Sequence, residues 1–312
     1  MYIEQGYRGN LGMWKYFIIP SLFFGLIVLS FLLSSLIELD MQAEMARQVA
    51  QKGATKFLAE SLMQFAVMLL LLLSWVKWVH PQSITALTTS RQSIDWGRIG
   101  FAFALWGGLT VVFTLVDVYF SPDNYVFNFN WEKFVPLAIV AILLIPFQTS
   151  FEEYFFRGYL FQGLGIITKH RWIPLVITSV LFGLMHFANP EVEKLGPGIM
   201  VYYIGTGFFL GIITLMDEGL ELALGFHAAN NLITALLVTA DWTAFQTDSI
   251  YRDISEPNLG LDAFIPVFVL FPILLFIFAK KYHWGNWKEK LAGRVMQKVA
   301  FLASENAGTP TI

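Results

Sequence analysis

Eight apolar runs, each close to the length of a bilayer crossing, decide what this chain can become. They cover approximately residues 14–37, 57–79, 99–120, 134–166, 172–188, 199–216, 220–239 and 262–280. A hydrocarbon core of about 30 Å is crossed by about 20 apolar residues in helical form. In lipid every backbone N–H and C=O must be paired inside the protein, so these runs are expected as helices. A transmembrane barrel would show short alternating strands instead. The composition agrees: of 312 residues 56% are hydrophobic and 14% charged, against about 25% charged in soluble domains. The expected class is an all-α integral membrane protein, one domain of about eight transmembrane helices with a polar site inside the bundle.

Other classes fall away. The net charge is -3, and no basic stripe interleaved with aromatics points to nucleic acid. There is no cysteine, which removes disulfides, thiolate metal sites and a cysteine nucleophile. The first run is too long for a signal-peptide core and is followed by "LIELDMQAEM" rather than a small-residue cleavage site, so it reads as a retained span. With an even number of spans both termini lie on one side. That side holds Lys77, Arg91, Arg98, Lys169, Arg171 and the six basic residues from Lys280 to Lys298, most of the chain's 20 lysines and arginines. The positive-inside rule therefore predicts cytoplasmic termini. Residues 1–283 are expected as the membrane domain and 284–312 as a cytoplasmic basic tail. In that tail Trp287, Leu291, Val295 and Val299 recur every four residues, as in an amphipathic helix on a membrane surface. Gly207 and Gly211 in "GFFLG" have the spacing of a close helix–helix contact.

An ionisable group in lipid costs several kcal/mol and points to function. Three runs contain them. In "TSFEEYFFRGYLFQG", Glu153 and Arg157 stand at i, i+4 and can pair on one face. Glu152 points about 100° away and is left for chemistry or for a metal. In "LFGLMHFANP", Phe182 and His186 share a face. Alone, such a histidine is more often a core residue than a ligand. In "GFHAANNLI", His227 and Asn231 are one turn apart beside the small Ala228 and Ala229, with Asn230 adjacent. Asparagines here could also be interhelical glue. Together the three segments hold the inventory of a hydrolase: a carboxylate or imidazole to deprotonate water, and donors for an oxyanion. Two histidines and a glutamate are equally a catalytic zinc set.

These segments resemble the CPBP intramembrane protease family, which includes the CAAX prenyl protease of the Rce1 type and bacterial Abi-type proteins. The family pattern EExxxR, FxxxH, HxxxN is met in order by Glu152, Glu153 and Arg157, by Phe182 and His186, and by His227 and Asn231, within a core of about 134–240. The resemblance implies an intramembrane endopeptidase acting on membrane-associated peptides or proteins in a prokaryotic plasma membrane. Glu152 with His186 would activate water, His227 and Asn231 would form the oxyanion hole, and Glu153 and Arg157 would support them. It leaves two schemes open: one divalent metal such as zinc on Glu152, His186 and His227, or a metal-free glutamate mechanism. No HExxH, GxSxG or GxGD motif supports another intramembrane protease class.

Two rivals belong to other classes. A proton-coupled transporter also uses intramembrane Glu, His and Arg, and Pro146 interrupts the fourth run; but no internal repeat is visible. A non-catalytic scaffold or immunity protein of the same fold is the second. Helical rise sets a further expectation. For Glu152, His186 and His227 to meet, they must lie in the cytoplasmic half of the membrane, with the turn between the fourth and fifth runs projecting beyond it.

Overall fold

The computed structural model describes residues 1–10, 12–37 and 40–307. The helices are, in order, α1 (Lys15–Leu36), α2 (Met41–Lys52), α3 (Ala54–Trp78), α4 (Ile84–Thr88), α5 (Trp96–Phe120) and α6 (Trp131–Glu153). A π-helical stretch, Tyr154–Leu160, joins α6 to α7 (Phe161–Thr168). Then come α8 (Trp172–Met185), α9 (Pro190–Leu195), α10 (Met200–Asp217), α11 (Glu221–Leu237), α12 (Phe271–Lys281), α13 (Trp287–Ala292) and α14 (Lys298–Ala307). Among the described residues, five helical segments are long and apolar enough to cross a membrane: Lys15–Leu36, Ala54–Trp78, Trp96–Phe120, Trp131–Thr168 and Pro197–Asp217. The other three apolar runs form α8, α11 and α12, of 14, 17 and 11 residues. The protein is an all-α integral membrane protein.

Local chemistry sets the helix starts. Asp40, Ser83, Asp95 and Asn130 each turn a side-chain oxygen onto an amide of the first turn, satisfying donors the helix cannot pair itself. The core is aromatic. Phe209 stacks on Phe271 at 4.5 Å, Phe226 packs edge-on at 4.8 Å, and Trp106 lies 4.6 Å from Phe226. α1 is apolar on all sides, and Leu26, Val28, Phe31 and Leu32 are exposed, which suits a peripheral helix in contact with lipid. Gly207 and Gly211 behave as their spacing suggests: a Cβ on Gly207 would meet the Ser179 carbonyl oxygen at 2.5 Å, and one on Gly211 the Leu175 side chain at 2.6 Å. α10 and α8 thus touch at the backbone.

Three features go beyond the sequence reading. A small sheet forms from β1 (Tyr125–Phe127), β2 (Val238–Thr239) and β3 (Tyr251–Asp253). β3 lies between the others, antiparallel to β1 with Val126 opposite Arg252 and parallel to β2 with Val238 opposite Tyr251. It ties two interhelical connections together at one end of α11. At the other end of α11, Tyr2–Arg8 is tucked into the bundle. Tyr2, Ile3 and Glu4 are fully buried, and the Tyr2 hydroxyl lies 2.7 Å from the Leu87 carbonyl oxygen and 3.0 Å from that of Arg157.

The third concerns the tail, which is two helices rather than one. The chain breaks after α13 at Gly293, and Arg294 bridges to His170. Val295 is buried while Val299 is 80% exposed, so the four-residue spacing does not define one face. Residues 308–312 of the expected tail lie outside the described residues. The turn between α7 and α8 is sheathed rather than free. Val295 donates its amide to the Lys169 carbonyl, Arg171 donates its amide to Gly293, and the Arg171 guanidinium reaches Glu4 at 2.5 Å.

His80, just beyond α3, is almost wholly buried, with Nδ1 3.2 Å from the Asn10 carbonyl oxygen and Nε2 3.0 Å from the Tyr159 hydroxyl. Burial pushes its pKa down to about 4. The unfolded chain, with an ordinary imidazole near 6.5, therefore takes up this proton first as pH falls. His80 contributes its full stability above about pH 6.5 and loses it as pH drops through about 4. Tryptophan-fluorescence melting curves are expected to fall across this window, and less steeply for His80→Gln.

Candidate functional site

The three polar segments meet. α6 brings Glu152 and Glu153 to its last turn, the π-helical stretch carries Arg157, His186 caps the end of α8, and α11 presents His227 and Asn231. Glu152, Glu153, Arg157 and His227 are all at most 5% exposed. Arg157 Nη1 is 3.0 Å from Glu153 Oε1 and its Nη2 donates to the Gly207 carbonyl at 3.2 Å. The guanidinium lies 4.2 Å from the centre of the Phe182 ring, a cation–π contact. Phe182 also packs against the rings of His186 and His227, at 5.0 and 5.8 Å. This is the physical reason for an aromatic one turn before the histidine: it roofs the arginine and spaces the two imidazoles.

The two glutamates have different partners. Glu153 Oε1 is held by Arg157 and by His227 Nδ1 at 2.7 Å. A carboxylate paired with arginine accepts only, so His227 Nδ1 carries its hydrogen toward Glu153. His227 Nε2 then points to Glu152 Oε2, 3.7 Å away. Glu152 Oε1 accepts from Gln148 Nε2 at 2.5 Å, while Oε2 is buried without a hydrogen-bond partner.

A chain of amides fixes that orientation. The Trp106 indole, a donor only, gives its hydrogen to Asn230 Oδ1 at 3.0 Å. Asn230 Nδ2 must then donate to Asn231 Oδ1, Asn231 Nδ2 to Gln148 Oε1, and Gln148 Nε2 to Glu152. Each link has only one workable direction. Asn231 is left with one free amide hydrogen. His186 Nδ1 lies 2.9 Å from the Phe182 carbonyl oxygen, its ring stacks on Tyr203 at 4.3 Å, and Nε2 is left for the cavity.

That cavity, of about 540 Å³, is lined by Glu152, His186, His227 and Asn231 and extends to the segment Trp242–Phe245. Gln148, Trp106, Asn230, Tyr203 and the Gly207 carbonyl were not among the expected site residues. Gln148, one turn before Glu152, was the most legible of them; Trp106, on a distant helix, left no signal in its spacing. Glu152, His186 and His227 have the donor chemistry of a zinc site, but among the described residues no three His, Asp or Glu side chains converge as ligands. As placed, these residues do not fit a three-ligand metal site.

A buried, polar, hydrolase-like centre in an all-helical membrane bundle defines the class, and comparison with known proteins gives the family. Residues 131–233 match the family described as type II CAAX prenyl endopeptidase Rce1-like. The chain is 30% identical over 239 residues to the uncharacterized protein YyaK of Bacillus subtilis (strain 168), covering 74% of this chain and 80% of that protein. It is 24% identical over 178 residues to the intermembrane phospholipid transport system lipoprotein MlaA of Escherichia coli (strain K12), covering 45% of this chain and 70% of that protein. No solved structure matches. The chain belongs to the Rce1-like family, a family of proteases.

Breaking a buried ion pair from one side leaves a bare charge and costs about 3–5 kcal/mol. Glu153→Gln is therefore expected to lower the unfolding temperature sharply, read by tryptophan fluorescence because the chain has no thiol for a dye. Trp106→Phe, which leaves only Asn230 Oδ1 unpaired, should cost less, about 1–3 kcal/mol.

Proposed function

We propose that the chain is an intramembrane endopeptidase in which Glu152 is the general base. The observation that carries this reading is the bare, buried Oε2 of Glu152, on a side chain that lines the cavity with His227 and His186. A water held between Glu152 Oε2 and His186 Nε2 gives its proton to Glu152 as its oxygen adds to the peptide carbonyl carbon. The developing oxyanion receives the free amide hydrogen of Asn231 and the Nε2 hydrogen of His227. For this His227 carries both ring protons, Nδ1–H on Glu153 and Nε2–H toward the oxyanion. Glu152 then passes its proton to the departing amine nitrogen as the C–N bond breaks. Glu153 and Arg157 hold His227 and do not touch the substrate.

The reading includes the setting. Substrates are membrane-associated peptides or proteins, residues 1–283 form the membrane domain with the hydrolytic core at about 134–240, and the basic residues of 284–312 lie on the cytoplasmic face of a prokaryotic plasma membrane. Cysteine-scanning accessibility in intact cells reports the side on which the termini lie. No step above uses a metal.

Hydrolysis of a hydrophobic peptide by the protein in liposomes, followed by mass spectrometry, tests the assignment. Glu152→Gln is expected to lower the rate by about 10²-fold or more. Asn231→Ala, which removes one oxyanion donor, is expected to cost about 10²–10³. Full activity in Glu152→Gln rejects Glu152 as the base. Stoichiometric zinc in the wild type, lost in both Glu152→Ala and His227→Ala, reassigns those side chains as ligands.

A further inference from the structure

The cavity lining is net negative, with His227 protonated or not. Its lining includes the carboxylates of Glu152, Glu191 and Asp253 and no lysine or arginine. Glu191 is held by neutral donors only: Asn189 Nδ2 at 3.0 Å, the Tyr203 hydroxyl at 2.5 Å and the Ala244 amide at 3.0 Å. Asp253 accepts from the Ser255 amide at 2.8 Å. Among the described residues neither has an ion-pair partner. Arg252, next in sequence to Asp253, pairs with Asp241, and neither lines this cavity. Arg157 is behind Glu153 and does not line it either.

Glu191 is also placed with care. Tyr203, whose hydroxyl binds it, is the ring stacked on His186. Ala244, whose amide binds its other oxygen, belongs to the segment 242–245 that lines the cavity. A carboxylate kept in a partly buried cavity without a counter-charge lacks the partner that offsets its desolvation. It attracts a cation entering with a ligand and repels an anion, more strongly than in water because the walls are of low dielectric.

We infer that the segment of substrate between the reacting bond and the cavity mouth carries a basic side chain, received by Glu191 and Asp253, and that acidic groups are excluded there. This rests on the peptidase reading and names its substrate class. It also sets a limit. A free C-terminal carboxylate a few residues beyond the reacting bond, as in a CAAX-type substrate, finds no lysine or arginine in this cavity, and His227 is already engaged by Glu153. Internal bonds near a lysine or arginine are the better fit.

The test is binding, so that it stands apart from catalysis. Glu152→Gln protein in nanodiscs is titrated with hydrophobic peptides that carry the same label and amidated ends and differ only in one residue: Lys, Gln or Glu. A fourth peptide is the Gln form with a free carboxylate. Fluorescence anisotropy should rank Lys tightest, with Lys over Glu by about tenfold or more, and the free carboxylate below its amide. In Glu191→Gln combined with Asp253→Asn, the ratio of Lys to Glu affinity should collapse toward one. A variant that merely loosened the fold would weaken all peptides together and leave the ratio unchanged. Equal binding of Lys and Glu, a ratio unchanged in the double variant, or no binding by any peptide overturns the inference. Wild-type cleavage of the Gln peptide is scored separately: its absence alongside the predicted ranking sinks the peptidase reading and leaves the cation preference standing.

Discussion

The Glu153–Arg157 pair is the fixed point of this molecule. Both side chains are fully buried, so neither can be satisfied by water. A buried pair of this kind adds little net stability, because desolvation consumes most of the attraction. What it supplies is position. Arg157 is confined by the Phe182 face, the Gly207 carbonyl and Glu153, and the Tyr2 hydroxyl meets its backbone carbonyl from below. Four separate parts of the chain are thereby referred to one arginine. Glu153, held in turn, orients His227.

Adjacent glutamates in one helix end up chemically unlike for two reasons. Successive residues of a helix point about 100° apart, so only one can face the arginine. The other faces a run of amides whose direction is set by the indole of Trp106, which can only donate. That direction ends on Glu152 Oε1 and leaves Oε2 bare. Buried acceptors without partners are rare in folded proteins. Of the buried carboxylate oxygens left bare here, on Glu4, Glu152 and Glu153, only that of Glu152 belongs to a side chain lining the cavity.

The sequence made much of this legible because the informative signals were local. Eight apolar runs name the helices, and charges inside them mark the site through their cost in lipid. The spacing of Glu153 with Arg157 and of Phe182 with His186 follows from one turn of helix. What it could not display were partners across space. The Trp106–Asn230 bond joins α5 to α11, and no periodicity records it. The stack of Tyr203 on His186 likewise depends on how α10 lies against α8, which the contact at Gly207 sets. The tail misled for a related reason. A four-residue spacing describes a helix face only while the helix continues, and Gly293 ends it, so Val295 is buried and Val299 is not. The small sheet arose from strands two and three residues long, below the length at which alternation is readable.

The packing of Glu4 bears on how such a protein is made. Its Oε1 accepts from Arg171 and from the amide of Met296, residues synthesised far apart in time. Tyr2, two residues before it, lies against the carbonyl of Arg157. The packing beneath Arg157 thus joins residues 2 and 4 to Met296, 292 positions beyond Glu4. While the chain is still being threaded into the bilayer, that packing is open. A polar centre built this way is completed only after its own helices have been inserted.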